Sequence, residues 1–359
     1  MYEKIIEKAL SGAMISPAEA IELWHDAPLA ELGKAAREIK VQHSGNTVFY
    51  NRNIHIEPTN ICAFRCAFCS YRRAKGEEGA WYYTLEQVTQ ILETHAAKPI
   101  TEVHIVGGVH PDHDFQYYID LISLIHKRLP NVAIKAFTAV ELDYIIKKEG
   151  ISLHEGLHRL KQAGMSAIPG GGAEIFVDHI RRRICPEKCS ASDWLNLHRT
   201  AHELGITSNA TILYGHIETI DDRIDHLLRL RNLQAETGGF SAFIPLKFRT
   251  AHNLLGENMN ETTLVEDMRM MALTRIMLNN FAHIKAYWPM LGLEATQMAL
   301  SFGADDIDGT IDDTTKIYSM AGAEIQKPQL TVAQCKELIA QSGFTPVERD
   351  TYYNSVSNS

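Results

Sequence analysis

From Asn51 onward the chain repeats one pattern, a short β-type run followed by a longer stretch of helical period, about eight times over. Such alternation calls for a parallel sheet, because each strand must return to the same end through a helix laid on the sheet. Strands are expected near 53–57, 102–107, 133–138, 166–169, 208–213, 241–246, 283–287 and 298–302. Amphipathic stretches such as Leu85 to Ala96, Phe115 to Arg128, Ser192 to Leu204, Asp221 to Glu236 and Thr263 to Asn279 lie between them. Eight units favour an α/β fold of the (β/α)8 TIM type over an open sheet, and 359 residues accommodate it. Residues 1–50 read as an N-terminal helical preamble, in which Ser16 and Pro17 open the second helix. Residues 51–322 read as the barrel, and 323–359 as a C-terminal helical extension with a helix from Thr331 to Gly343 and a frayed tail from Tyr352.

Composition narrows the partners. With 45% hydrophobic and 22% charged residues the chain has ample apolar material for a core. A formal charge of −9 argues against nucleic acid, whose binding rests on clustered Lys and Arg, and favours a small-molecule substrate. No signal-peptide core or membrane-length apolar run is present, so the expectation is a cytoplasmic protein without a membrane partner.

Three of the six cysteines fall in one short run, Cys62-Ala63-Phe64-Arg65-Cys66-Ala67-Phe68-Cys69, directly after the first expected strand. In a barrel of this type the reactive loops follow the strands. Structural zinc usually takes four ligands as two separated pairs. A C-x3-C-x2-C triplet leaves one metal position without a protein ligand, and thiolates suit iron-sulfur clusters.

This triplet, with Phe68 before the last cysteine, resembles the signature of the radical SAM superfamily. The resemblance implies a 4Fe-4S cluster held by Cys62, Cys66 and Cys69, and S-adenosyl-L-methionine (SAM) chelated to the fourth iron and cleaved by one electron. That electron would come from a donor such as flavodoxin or ferredoxin. By the same resemblance Phe68 lies beside the adenine, and Gly107 and Gly108, ending the second strand, receive the SAM amino group. Val109 stands where family members usually carry an acid. Thr138, Glu174 of Pro169-Gly170-Gly171-Gly172-Ala173-Glu174, and Tyr214 of Leu213-Tyr214-Gly215-His216-Ile217-Glu218 complete the expected SAM contacts.

The phrases Asn53-Ile54-His55-Ile56-Glu57-Pro58-Thr59-Asn60, His104-Ile105-Val106-Gly107-Gly108-Val109-His110-Pro111 and Lys135-Ala136-Phe137-Thr138-Ala139-Val140-Glu141 resemble, more narrowly, the aminofutalosine synthases of the futalosine route to menaquinone. That resemblance implies addition of the adenosyl radical to 3-(1-carboxyvinyloxy)benzoate, an enolpyruvyl benzoate, giving 6-amino-6-deoxyfutalosine with release of methionine and bicarbonate. A substrate with two carboxylates in a dry barrel mouth needs cationic or neutral donors. His104, His110, Lys135 and Lys247 are the expected substrate contacts, with Lys285 a further candidate. Asn53, His55 and Glu57 share a face by period 2, so His55 or Glu57 is the expected handler of water or a proton, and Arg249 or Lys247 the partner of a carboxylate.

Other readings stay open. The sister cyclase of the same pathway and the deazaflavin-forming synthase share the motif, and a zinc or iron-sulfur module without catalysis is the reading from another class. Cys185 and Cys189 read as incidental thiols, and Cys335 as core. Arg181-Arg182-Arg183 read as a solvated helix face. The acidic loop Phe302-Gly303-Ala304-Asp305-Asp306 with Asp308-Gly309-Thr310 either borders the substrate mouth or caps a helix through Asp305 or Asp306.

Overall fold

A single residue, Arg52, separates two strands that go to different sheets. In the computed structural model, which describes residues 1–311, 316–322 and 328–356, β1 (Thr47–Asn51) joins a small sheet and β2 (Asn53–Ile56) opens a large one. The large sheet continues through β3 (Glu102–Ile105), β4 (Ala133–Ala136), β5 (Met165–Ile168), β6 (Thr207–Tyr214), β7 (Phe240–Lys247) and β8 (His283–Ile284), in that spatial order and parallel throughout. Helices such as Leu85–His95, Phe115–Arg128, Ile220–Thr237 and Leu264–Met277 return the chain between strands. The sheet curls into the expected TIM-type α/β architecture.

The last stave differs from expectation. Residues 298–302 are not a strand: Leu293–Leu300 is a helix that buries Thr296, Ala299 and Leu300 at helical spacing. The strand is instead β9 (Asp306–Gly309), which with β1 and β10 (Thr345–Glu348) forms the small parallel sheet, ordered β10-β1-β9. β9 also spans the gap in the barrel. Ala286 N–H donates to Asp306 O at 2.8 Å on one side, and on the other the Thr310 hydroxyl reaches Asn53 O at 3.2 Å. An Asp-Ile-Asp-Gly strand is illegible by propensity, because two buried carboxylates are tolerated only with partners from elsewhere. Those partners are Arg349 for Asp306 and Lys285 for Asp308.

The tail is likewise ordered through residue 356. Arg349 N–H donates to Tyr50 O at 2.9 Å, the Thr351 hydroxyl to Glu102 at 2.7 Å, and the Tyr353 ring stacks on His283 with centroids 3.7 Å apart. Residues 357–359 of the expected frayed end lie outside those described.

Ahead of β1, helices Tyr2–Leu10, Pro17–Asp26 and Leu29–Ser44 pack on the outside of the barrel, the second opened by a full capping box between Ser16 and Glu19. Among the described residues no helix is long and apolar enough to cross a membrane.

The inward residues of the first three barrel strands are polar and in register. Asn53 stands opposite Glu102, and His55, His104 and Lys135 form one row across β2, β3 and β4. This layer is the floor on which the site is built.

Candidate active site

The residues that follow β2 turn at once into the loop that holds the cysteine triplet. Thr59 and Asn60 brace it: the Thr59 hydroxyl donates to Trp81 O at 2.7 Å and Asn60 Nδ2 to Gly79 O at 2.9 Å. Cys62, Cys66 and Cys69 are free, partly exposed, and line one cavity of about 320 Å³ at the strand C-terminal ends. Among the described residues no three His, Cys, Asp or Glu side chains converge as they would on a single ion. A cubane cluster makes no such demand, since each thiolate binds a different iron and the sulfurs stand apart. Burial pushes the Cys62 and Cys66 thiols up, so a metal is needed to draw off their protons. The Val109 N–H points at Cys62 Sγ at 3.4 Å, as a sulfur-tuning donor should. The donor set therefore fits a 4Fe-4S cluster with an open iron.

Gly107 and Gly108 end β3 against this loop. A Cβ on Gly108 would stand 2.5 Å from Ile61 O, and one on Gly107 2.9 Å from Thr59 O, so only glycine permits the approach. Both line the cavity, with Phe68, Thr138 and Glu174. Thr138 caps the Ala139–Glu149 helix in a capping box with Glu141. Glu174 adopts a left-handed φ of 48°, and its carboxylate accepts from Lys188 Nζ at 2.6 Å. Tyr214 is buried with its hydroxyl on Asp267 at 2.9 Å, and is absent from the cavity wall.

The expected substrate contacts divide into two tiers, in which each lysine and the arginine is already held by an acid. His104, Lys135 and Lys285 line the floor, where Lys135 Nζ lies 2.6 Å from Glu102 and Lys285 pairs with Asp308. Lys247 and Arg249 line the wall, paired with Asp267 at 2.9 Å and Glu261 at 3.1 Å. Burial pushes the Glu102 carboxyl up, but Lys135 and Arg349 outweigh it and hold the group far below the usual range. Burial, with His55 adding to it, holds His104 well below the usual imidazole value, so its ring is neutral.

Three other expected residues lie off the cavity. His55 is fully buried on β2, its ring 4.3 Å from that of His104, and burial lowers it to about 4. Glu57 is fully buried and accepts the backbone N–H groups of Lys316 (2.8 Å) and Ile317 (3.2 Å), which places Ile317 in the cavity wall. His110 stacks on His113, centroids 4.1 Å apart, outside the cavity lining.

Lys188 and Glu141 line the cavity but carried no expectation. Lys188 comes from the Cys185–Cys189 loop, whose cysteines drew attention away from the lysine between them. That loop packs on the cluster loop, with Ala67 N–H on Ile184 O at 2.8 Å and Lys188 Nζ 5.1 Å over the Phe68 ring. Glu141 carried the signal of a Thr-x-x-Glu capping box at a strand's C-terminal end. Arg181 corrects the solvated-face reading: it is buried and donates to Ala173 O, Ile175 O and Cys189 O, while Arg182 and Arg183 are exposed. Asp308 of the acidic loop lines the cavity, Asp306 pairs with Arg349 away from it, and Asp305 neither caps a helix nor lines the cavity. It is fully buried between Arg275 and His283.

Residues 56–230 match the radical SAM superfamily, and residues 237–358 the CofH/MqnC C-terminal region. The chain is 41% identical to the aminodeoxyfutalosine synthase of Thermus thermophilus over 98% of its own length and 95% of that protein, and 37% identical to that of Streptomyces coelicolor over 98% and 93%. It is also 37% identical to a 5-amino-6-(D-ribitylamino)uracil–L-tyrosine 4-hydroxyphenyl transferase of Methanoculleus marisnigri, over 98% of this chain and 96% of the relative. Its fold is that of methylornithine synthase (TM-score 0.75, 17% identity, 95% and 97% coverage). The hydrogenase maturase HydG of Carboxydothermus hydrogenoformans shares it too (TM-score 0.78, 18% identity, 98% and 80% coverage). The chain is an enzyme of the radical SAM superfamily, in the group that carries the CofH/MqnC C-terminal region.

Proposed function

We propose that this enzyme is an aminodeoxyfutalosine synthase, joining the 5′-deoxyadenosyl group of SAM to 3-(1-carboxyvinyloxy)benzoate to give 6-amino-6-deoxyfutalosine, methionine and bicarbonate on the way to menaquinone. The observation that carries this reading is one cavity lined both by the three cluster cysteines and by two separate tiers of cations. A substrate with a carboxylate at each end suits that division. The cluster, when bound, supplies the electron from a flavodoxin- or ferredoxin-like donor that breaks the SAM sulfonium.

This chain's own residues bind, orient and exclude water. Lys247 and Arg249 on the wall receive one carboxylate, and Lys135 with Lys285 on the floor the other. Their acid partners pre-set each ammonium and guanidinium, so that binding does not have to order a free side chain. His104, neutral and facing the cavity, holds the water or proton that loss of bicarbonate requires, and His55 orients the His104 ring from behind. Glu57 acts by fixing Lys316 and Ile317 at the mouth. A chain of this kind works in the cytoplasm.

The test is incubation of cluster-reconstituted protein with SAM, a reductant and the enolpyruvyl benzoate, followed by mass identification of every nucleoside. Product carrying both adenosyl and benzoate parts is expected. Release of 5′-deoxyadenosine alone would exclude the synthase and favour the second reading. That reading, a 4-hydroxyphenyl transferase, has in its favour the 37% identity to the Methanoculleus enzyme. It is tested by supplying tyrosine and the ribitylaminouracil.

A further inference from the structure

Asn209 lies on β6, is 3% exposed and lines the cavity. Its carboxamide makes no hydrogen bond among the described residues, and neither amide atom is sealed off by protein. Ser70, Tyr71, Thr138 and Thr211 also line the cavity, yet each of their hydroxyls is spent, on Ala251 O, Thr59 O, Glu141 and Gly170 O in turn. A buried amide without a partner is costly, and a ligand that hydrogen-bonds to it removes that cost. Asn is also a poor strand former, so neither propensity nor packing accounts for it inside a parallel sheet.

Its place on the floor says what that ligand group is. The register from β4 to β6 carries Lys135 through Ala167 to Thr207, and Asn209 is the next residue on the same face of β6. Lys135 and Lys285 line the cavity too, each paired with an acid, so the floor holds two ammoniums, the neutral His104 ring and one uncommitted amide. A group that meets such a set is an anion, which accepts from the amide N–H as well as from the lysines. Depth separates the two carboxylates of the enolpyruvyl benzoate. The vinyl group has to meet the adenosyl group near the cysteine loop, and one carboxylate is bonded directly to it. The other sits across the ring, and β6 runs on from Asn209 to Tyr214, about 16 Å of strand.

We propose that Asn209 is a binding residue for the ring carboxylate of the enolpyruvyl benzoate, its amide N–H donating to that carboxylate alongside Lys135 and Lys285. The assignment rests on the proposed function and deepens it by orienting the substrate, with the benzoate end on the floor and the vinyl end toward Cys62, Cys66 and Cys69. Asn209 thereby selects for substrates that carry an anion at the far side of the ring, because a substrate without one leaves the amide unpaired.

The experiment compares 3-(1-carboxyvinyloxy)benzoate with 2-phenoxyacrylate, the same enol ether without the ring carboxylate, by equilibrium dialysis against cluster-reconstituted wild type and Asn209→Ala. SAM is present and the reductant is left out, so that nothing turns over. Wild type is expected to bind the benzoate roughly tenfold or more tighter than phenoxyacrylate. In Asn209→Ala the benzoate affinity falls about tenfold, while phenoxyacrylate affinity changes by about twofold or less. An unchanged benzoate affinity, or an equal fall for both compounds, overturns the assignment. Should Asn209→Ala not take up the cluster, Asn209→Asp, of the same shape, replaces it. Its carboxylate repels the ring carboxylate, so the benzoate loses about tenfold more affinity than phenoxyacrylate, and equal losses overturn the assignment. Wild type that binds both compounds alike overturns it as well. Wild type that converts the benzoate to a nucleoside product while Asn209→Ala binds it undiminished refutes Asn209 alone, whereas wild type that binds neither compound refutes the proposed function with it.

Discussion

Lys188 Nζ lies 2.6 Å from Glu174 Oε1, and both side chains are only 10% exposed. The pair joins the loop after β5 to the loop that packs on Cys66 and Phe68, so one ion pair sets the distance between the cluster loop and the opposite wall. Breaking a buried pair from one side leaves the other charge uncompensated. Lys188→Met is therefore expected to destabilise the protein by about 3–5 kcal/mol in denaturant melts, and the Lys188→Met/Glu174→Gln double variant by clearly less than that. Equal losses in the single and double variants would show that the pair does not act as a unit.

The cysteine loop sits at the rim rather than in the core, so its thiols and the fold are separable. Cys66→Ser is expected to retain wild-type far-ultraviolet circular dichroism and melting temperature in the metal-free state, while reconstitution yields no complete cluster and no SAM cleavage. Visible absorbance and iron content check this. A full iron complement in Cys66→Ser would disprove the ligand set.

Gly108 is a sharper steric test. A Cβ there meets Ile61 O at 2.5 Å, and the contact is backbone on both sides, so nothing flexible can yield. Gly108→Ala is expected to cost about 1–3 kcal/mol and to weaken SAM binding by displacing the cysteine loop. Melts and dialysis measure the two effects, and an unchanged value for both would show that the loop has slack.

The tail contributes more than its position suggests. Removing residues 349–359 takes Arg349 from Asp306, both buried, and the Thr351 hydroxyl from Glu102. Loss of about 3–5 kcal/mol or failure to accumulate as soluble protein is expected. A truncated chain with wild-type stability would mean that Asp306 is compensated otherwise.

Acid should weaken the fold above the usual carboxylate range. Burial lowers His55 to about 4 and His226 to about 3, from about 6.5 in the unfolded chain. Below pH 6.5 the unfolded state binds protons that the folded state refuses, so stability falls as pH drops from 6.5 toward 4, by on the order of 3 kcal/mol for each such histidine. Glu141, raised to about 7, takes its proton earlier in the folded state and offsets about one of them. Denaturant midpoints between pH 7 and 4 measure this slope, and His226→Phe should flatten it. A pH-independent midpoint across that window would contradict it.

Much of this protein is local and therefore readable from its order of residues. Apolar alternation, the capping signal at Ser16, and the spacing of Cys62, Cys66 and Cys69 act over a few residues, which is why the seven strands from β2 to β8 and the cysteine loop were all expected. Tertiary structure decided the rest wherever a charge had to be compensated from afar. Asp306 and Asp308 can lie in a strand only because Arg349 and Lys285 meet them, Arg181 is buried because three carbonyls surround it, and Lys188 reaches the site only by the packing of one loop on another. His55 and Glu57 share their strand face as the period of two demands, yet the curl of the barrel puts both behind the cavity and leaves His104 in front. The cost of burying a charge depends on its partner, and where that partner comes from is a property of the folded chain.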